Sequence, residues 1–299
     1  MREVWHLFGL SLTLGAIAVF GSETLFWAFP GPTMGVVEYA LLVVIYGLAS
    51  ATALSAVLLT GAGGWRGFWL AGAMFGFLIE GVVVGEMYLA FPFQLVWTPL
   101  AWHMLLTAGV MLALVRLSVG WSLGRQCLTL GAIGMAYGFW AAWWPLEKPE
   151  LPGLGAMALY QFSGAGVAVL GFLGLDRFGR LPKPPRRALW IMPVVAASLF
   201  MLQTVLNPTP LRIFLPMMMG LTVWGMLRAK GNGAEFRLKP APVWRYLPLF
   251  LVPAFSVLTT AVIFQTAGAI PSNAVVAFIT CPVGLGLWLW QIFRKGSAV

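Results

Sequence analysis

Charge is scarce in this chain. Asp, Glu, Lys and Arg make up 9% of its 299 residues against 60% hydrophobic ones, and the mean hydropathy is +0.89. So little polar surface cannot coat a water-soluble globule, and a bilayer is the solvent the composition demands. Cysteine is nearly absent: Cys127 and Cys281 fall on different predicted segments, which argues against a disulfide framework. The two histidines, His6 and His103, are expected in opposite halves of the membrane, which excludes a bis-histidine haem. No compact ligand motif accompanies either one, so the signal for a metal is weak and no cofactor is indicated. Missing too are an intramembrane Ser/His motif, a paired-acid prenyl-diphosphate motif and a zincin pattern.

What the chain has is long apolar runs. The windows fall at about 4–29, 34–60, 67–90, 96–118, 127–145, 152–175, 189–206, 209–228, 246–267 and 274–293, each long enough to cross a hydrocarbon core of about 30 Å. They predict an all-α polytopic membrane protein of about ten helices in a single integral membrane domain, residues 1–299. The first run resembles a signal peptide as far as Phe20, but apolar character resumes after Glu23 and no cleavage site is clear, so a retained span is expected. Pro and Gly punctuate the connections, as at Pro30-Gly31-Pro32, Pro149 to Gly153 and Asn207-Pro208-Thr209-Pro210.

The net charge of +9 would raise the question of nucleic acid in a soluble protein. Here retention of Lys and Arg in short cytoplasmic loops explains it, and no nucleic-acid partner is expected. With the N-terminus inside, cytoplasmic segments collect 16 of the 18 basic residues, Lys148 and Arg212 being the exceptions. Miscounting one helix would break this alternation, so an even number of spans in a cell (inner) membrane, with both termini cytoplasmic, is expected. The basic connections Asp176 to Leu189 and Ala229 to Arg245 read first as loops touching lipid headgroups, with a regulatory or partner-docking role as the alternative, and a protein partner stays unknown.

Ten spans allow two five-helix halves in inverted orientation. That topology and length are similar to those of the drug and metabolite transporter superfamily, although none of its distinctive motifs occurs. Gly72 and Gly76, Gly81 and Gly85, and Gly134 and Gly138 form small-xxx-small pairs suited to close helix contact. Prolines at 193, 216, 253 and 282 place any hinge in the C-terminal half.

With this orientation, the polar residues inside the membrane crowd into its outer half. Glu23, Glu38, Glu80 and Glu86 lie there, with His103 on the following span and Gln161, Gln203, Asn207, Arg212 and Gln265 at comparable depths. A carboxylate in lipid costs about 3 kcal/mol, so several at similar depth predict a shared polar enclosure. Glu80, expected near the midplane where a short acid cannot snorkel, is the sharpest candidate for proton coupling or acid-base chemistry, with Glu86 and His103 beside it. Glu23, Glu38, Trp102, Gln161, Gln203, Asn207, Arg212 and Gln265 are the expected substrate contacts. Trp27, Trp97, Trp102, Trp140, Trp143 and Trp144 map to the same side and read first as an interfacial belt, or with the acids as a surface for a cationic or lipid-like molecule.

Two functions lead from here: a proton-coupled transporter of a small organic or amphipathic substrate, and an intramembrane enzyme acting on a lipid or isoprenoid through Glu/His chemistry. A pigment- or lipid-binding subunit of a larger complex is the third.

Overall fold

The computed structural model describes residues 2–148, 150–179, 184–229 and 240–294. Pro149 and the basic residues Arg180, Lys183, Lys230, Arg237, Lys239 and Lys295, which enter the turn and charge assignments, lie outside the described residues. Ten long helices follow one another: α1 (Trp5–Trp27), α2 (Val36–Thr60), α3 (Gly64–Val84), α4 (Phe93–Ser118), α5 (Leu123–Ala141), α6 (Leu154–Phe178), α7 (Ala188–Leu206), α8 (Pro210–Arg228), α9 (Val243–Thr266) and α10 (Ser272–Phe293). Among the described residues, nine of these are long and apolar enough to cross a membrane, all but α5. The chain is therefore a multi-pass helical membrane protein. Helix α5 has the length but carries Arg125, Gln126 and several glycines, which lower its hydropathy below that of the others.

Lipid offers no hydrogen bonds, so each segment closes its own backbone ladder. The hydroxyls behave likewise: Ser11, Thr52, Thr60, Thr204, Thr222 and Thr280 donate to carbonyls one turn back.

Contacts between chain ends show how the helices alternate. The α1–α2, α3–α4, α5–α6, α7–α8 and α9–α10 connections gather at one end of the bundle, here the odd end. There Phe29 stacks on Phe264, Phe91 packs on Phe214, and the Ile270 N–H donates to the Ala142 carbonyl. At the opposite, even end Arg66 donates to the Gln291, Ile292 and Arg228 carbonyls, where α10 and α8 finish. Arg245 donates to the Val119 and Trp121 carbonyls beyond α4, and Arg116 pairs with Asp176 at 2.6 Å. The Asp176 carboxylate also accepts from the Tyr246 hydroxyl and the Ala241 N–H. Basic residues that the charge alternation assigns to loops thus also complete the unpaired carbonyls at helix C-termini.

Arg66 is 4% exposed, and its loss would strand carbonyls from two helices in a dry site. Arg66→Met is expected to cost about 3 kcal/mol, since hydrogen bonds from a charged donor contribute roughly 1.5–3 kcal/mol each and do not add fully. A melting midpoint in detergent equal to wild type would contradict this role.

Helix pairing is selective. Helix α1 packs on α2 and α6, α3 on α4 and α8, α5 on α9, α4 on α10, and α2 on α7. Three of these pairs, α1 with α6, α2 with α7 and α3 with α8, join helices five apart in order. Gly134 and Gly138 sit against the α9 backbone at Val252 and Ser256, and Gly76 against Pro99 of α4, as the small-xxx-small spacing predicts. Gly85 differs: it adopts φ +86° and ends α3, with nothing within 4 Å of a side chain placed there. One apolar core joins α1, α4, α5, α6 and α9, and another joins α2, α3, α4, α7, α8 and α10, with Ala18 and Val19 of α1.

Candidate functional site

Three helices widen where they carry polar residues. Phe20–Thr24 in α1, Ile79–Val84 in α3 and Trp97–Leu114 in α4 adopt π-type turns, with i→i+5 bonds such as Gly85 N–H to Glu80 O and Ala101 N–H to Val96 O. Each π turn shifts the side-chain register relative to an ordinary helix, a local irregularity frequent at functional sites. Ser22 and Glu23 lie on the first, Glu80 on the second, His103 and Thr107 on the third.

These turns bring the groups together between the two apolar cores. The Glu80 carboxylate is 2.7 Å from His103 Nε2, and His103 Nδ1 is 2.9 Å from the Ser22 hydroxyl. Ser22 in turn lies 2.9 Å from the Thr107 hydroxyl. Glu80, His103, Ser22 and Thr107 are all 5% exposed or less. With neutral His103 and ionised Glu80, Nε2–H donates to Glu80, Nδ1 accepts from Ser22, and Ser22 accepts from Thr107. A proton on Nδ1 reverses the last two bonds without moving a heavy atom. Glu80 Oε2 is buried and has no hydrogen-bond partner among the described residues. An orphaned buried acceptor costs about 1–3 kcal/mol unless a proton or a donor meets it.

Glu23 forms the neighbouring group. It accepts from the Tyr46 hydroxyl at 2.5 Å and from the Trp27 indole N–H at 2.9 Å. The Tyr46 and Phe75 rings flank the His103 ring, with centroids 6.2 and 5.6 Å away, so aromatic faces from α2 and α3 screen the imidazole. Trp102, 1% exposed, donates to the Gly21 carbonyl at 3.2 Å and holds α4 against the π turn of α1.

The remaining expected residues lie elsewhere. Glu38 is exposed and bonds the Gly35 N–H, capping α2. Gln161 is fully buried and donates to the Ala28 carbonyl, while Gln265 is exposed near the end of α9. Gln203, Asn207 and Arg212 form a separate group at the α7–α8 turn, with Asn207 donating to Gln203 and Arg212 Nε to the Asn207 carbonyl.

Glu86 requires a correction. The hydropathy window carries the third helix to residue 90, but α3 stops at Val84 and Glu86 begins a short 3₁₀ turn in the connection, partly exposed. The positive φ of Gly85 breaks the helix there, so Glu86 does not share a helical face with Glu80. Burial raises its carboxyl above the usual range, with a smaller push from the Glu80 charge. The same early stop places Glu80 about 6 Å from the end of α3, nearer the odd end than the midplane.

The tryptophans also depart from expectation. Trp97, Trp102, Trp140, Trp143 and Trp144 are at most 9% exposed, and they form an internal aromatic cluster around Phe26 instead of a lipid-facing belt. Trp140 and Trp144 both donate to the Phe26 carbonyl, which the end of α1 leaves without a helical partner.

Ser22, Thr107 and Tyr46 are absent from the sequence-derived site. Thr107 was legible, being four residues after His103 on one helix, whereas Ser22 and Tyr46 arrive from helices whose packing a linear reading does not supply. Among the described residues no three His, Cys, Asp or Glu side chains are placed to hold a metal ion together. Compared with protein-family models, curated proteins and solved structures, the chain matches none of them.

Proposed function

We propose that this protein is a proton-coupled secondary transporter of a small organic or amphipathic molecule, inserted with both termini in the cytoplasm and the Glu80–His103 group in the outer half of the membrane. The observation that carries the reading is the hydrogen-bonded series Glu80–His103–Ser22–Thr107, buried inside membrane-spanning helices. Ionisable residues in such a place are costly and are retained where protons or ions move. Two five-helix halves, which ten helices allow, would suit alternating access. The test is reconstitution into liposomes holding a pH-sensitive dye, with a panel of organic cations, organic anions and amphipathic compounds applied across an imposed pH gradient. Compound-dependent proton movement is the expected result. Its absence across all classes would remove the reading.

One observation favours a second reading. Hydroxyl, imidazole and carboxylate stand in the order Ser22, His103, Glu80, which is the order of an activated nucleophile, its base and the group that orients the base. On that reading the protein is an intramembrane acyl-transfer enzyme acting on a lipid. A fluorophosphonate probe would then label Ser22 in wild type but not in His103→Gln. Absence of labelling in detergent-solubilised, monodisperse protein returns the serine to the proton relay.

A further inference from the structure

Helices α2, α3, α7 and α8 line a half-open cavity of about 320 Å³ that shares no residue with the Glu80 group. Its walls are apolar: Met74, Leu78 and Val82 line it from α3, Phe200 from α7, Met219 and Val223 from α8. The lining threonines, Thr52 and Thr60, spend their hydroxyls on carbonyls of their own helix. From Met74 to Val82 it follows α3 for about 12 Å, close to the depth of one bilayer leaflet.

Three residues before Leu215, the first lining residue on α8, lies a cation with no counter-charge among the described residues. On α8 the lining residues Leu215, Met219 and Val223 form a stripe at helical spacing, and Arg212 lies on the same stripe one turn earlier. A chain of contacts links it to the same region. The Arg212 guanidinium covers the Tyr88 ring at 4.9 Å, the Tyr88 hydroxyl donates to the Gly81 carbonyl, and a side chain at Gly81 would touch Leu215. Arg212 is 7% exposed, and its Nη1 has no hydrogen-bond partner among the described residues. The ion pairs among those residues are Glu80–His103 and Arg116–Asp176, so no described carboxylate pairs with Arg212. A buried cation is expensive without an anion beside it, and the positive end of the α8 dipole adds to that cost. Arg212 Nε donates to the Asn207 backbone carbonyl, and the Asn207 side chain bonds Gln203.

We propose that this cavity binds an anionic amphiphile, its acid group paired with Arg212 and its hydrocarbon chain lying along α3 toward Met74. The site does not rest on the proton-coupled reading. Either a free fatty carboxylate or a bilayer phospholipid phosphate supplies this chemistry, and the test separates them. Protein in a neutral detergent is photolysed with palmitate carrying a mid-chain diazirine, with the corresponding alcohol, and with phosphatidylglycerol and phosphatidylcholine bearing the same chain. Mass spectrometry then locates the label.

The expected result is that the acid labels peptides containing Met74–Val82 and Met219–Val223 about tenfold more than the alcohol. Arg212→Gln removes that preference, and Ala197→Phe, which fills the cavity, lowers labelling by both probes. Preference for phosphatidylglycerol over phosphatidylcholine with none for palmitate assigns the same site to a membrane phospholipid. Equal labelling by charged and uncharged probes, or a preference that survives Arg212→Gln, overturns the proposal. Should Arg212→Gln fail to fold, competition on wild-type protein decides: unlabelled palmitate or phosphatidylglycerol must displace its probe at concentrations where palmityl alcohol does not, and failure to do so overturns the proposal equally.

Discussion

Glu80→Gln is expected to leave the bundle folded and to abolish proton-linked activity, with a loss of about 100-fold or more, the lower range for removal of a general acid or base. The amide is nearly isosteric with the acid, and its oxygen still accepts from His103 Nε2, which lies 2.7 Å from the carboxylate. What disappears is the proposed site of proton uptake and release. Gel-filtration profile and melting midpoint report the fold, and compound-driven dye response reports the activity. Because Glu80 and His103 are directly bonded, Glu80→Gln with His103→Gln should be little worse than either alone, as residues acting as one unit are strongly non-additive. Ser22→Ala separates the two functional readings: a relay loses part of its rate, whereas a nucleophile loses all of it. Wild-type activity in Glu80→Gln would reduce the carboxyl to a packing group.

Gly76→Ala should cost 3 kcal/mol or more in stability, above the roughly 1–3 kcal/mol typical of core overpacking. An added methyl would overlap the Pro99 carbonyl oxygen and stand 2.8 Å from the carbonyl carbon, both backbone atoms of α4 that no rotamer change can move aside. The helices must separate, and the strain reaches the site directly, because Gly76 is one turn from Glu80 and Pro99 one turn from His103. Gly220→Ala is the control. Nothing among the described residues lies within 4 Å of its added methyl, so the same change on α8 should be neutral or stabilise by about 0.5–1 kcal/mol through helix propensity. Opposite signs for one chemical change would tie the effect to the α3–α4 contact. Equal melting midpoints would show that this approach is not close in solution.

The helices were legible because lipid imposes a local rule: each spanning segment closes its own hydrogen bonds, so length and hydropathy suffice to locate it. The main departure in length came where one residue overrode the pattern. Gly85 adopts a positive φ and stops α3 while the hydropathy continues, which leaves Glu86 in the connection and not on the third helix. Glu80 and His103 were legible as candidates because an ionisable side chain between apolar neighbours is rare enough to stand out.

Their partners were not. Ser22, Thr107 and Tyr46 are ordinary residues whose meaning arises only when α1, α2, α3 and α4 pack at particular rotations, set by close glycine contacts and by π turns that reset side-chain register. The same holds for Arg212, conspicuous in the sequence as a cation apart from the basic loops yet uninterpretable until α3, α7 and α8 frame an apolar cavity beside it. Hydropathy is a property of each residue alone and survives a linear reading. Register between helices depends on steric fit summed over many pairs, and it exists only in the assembled bundle.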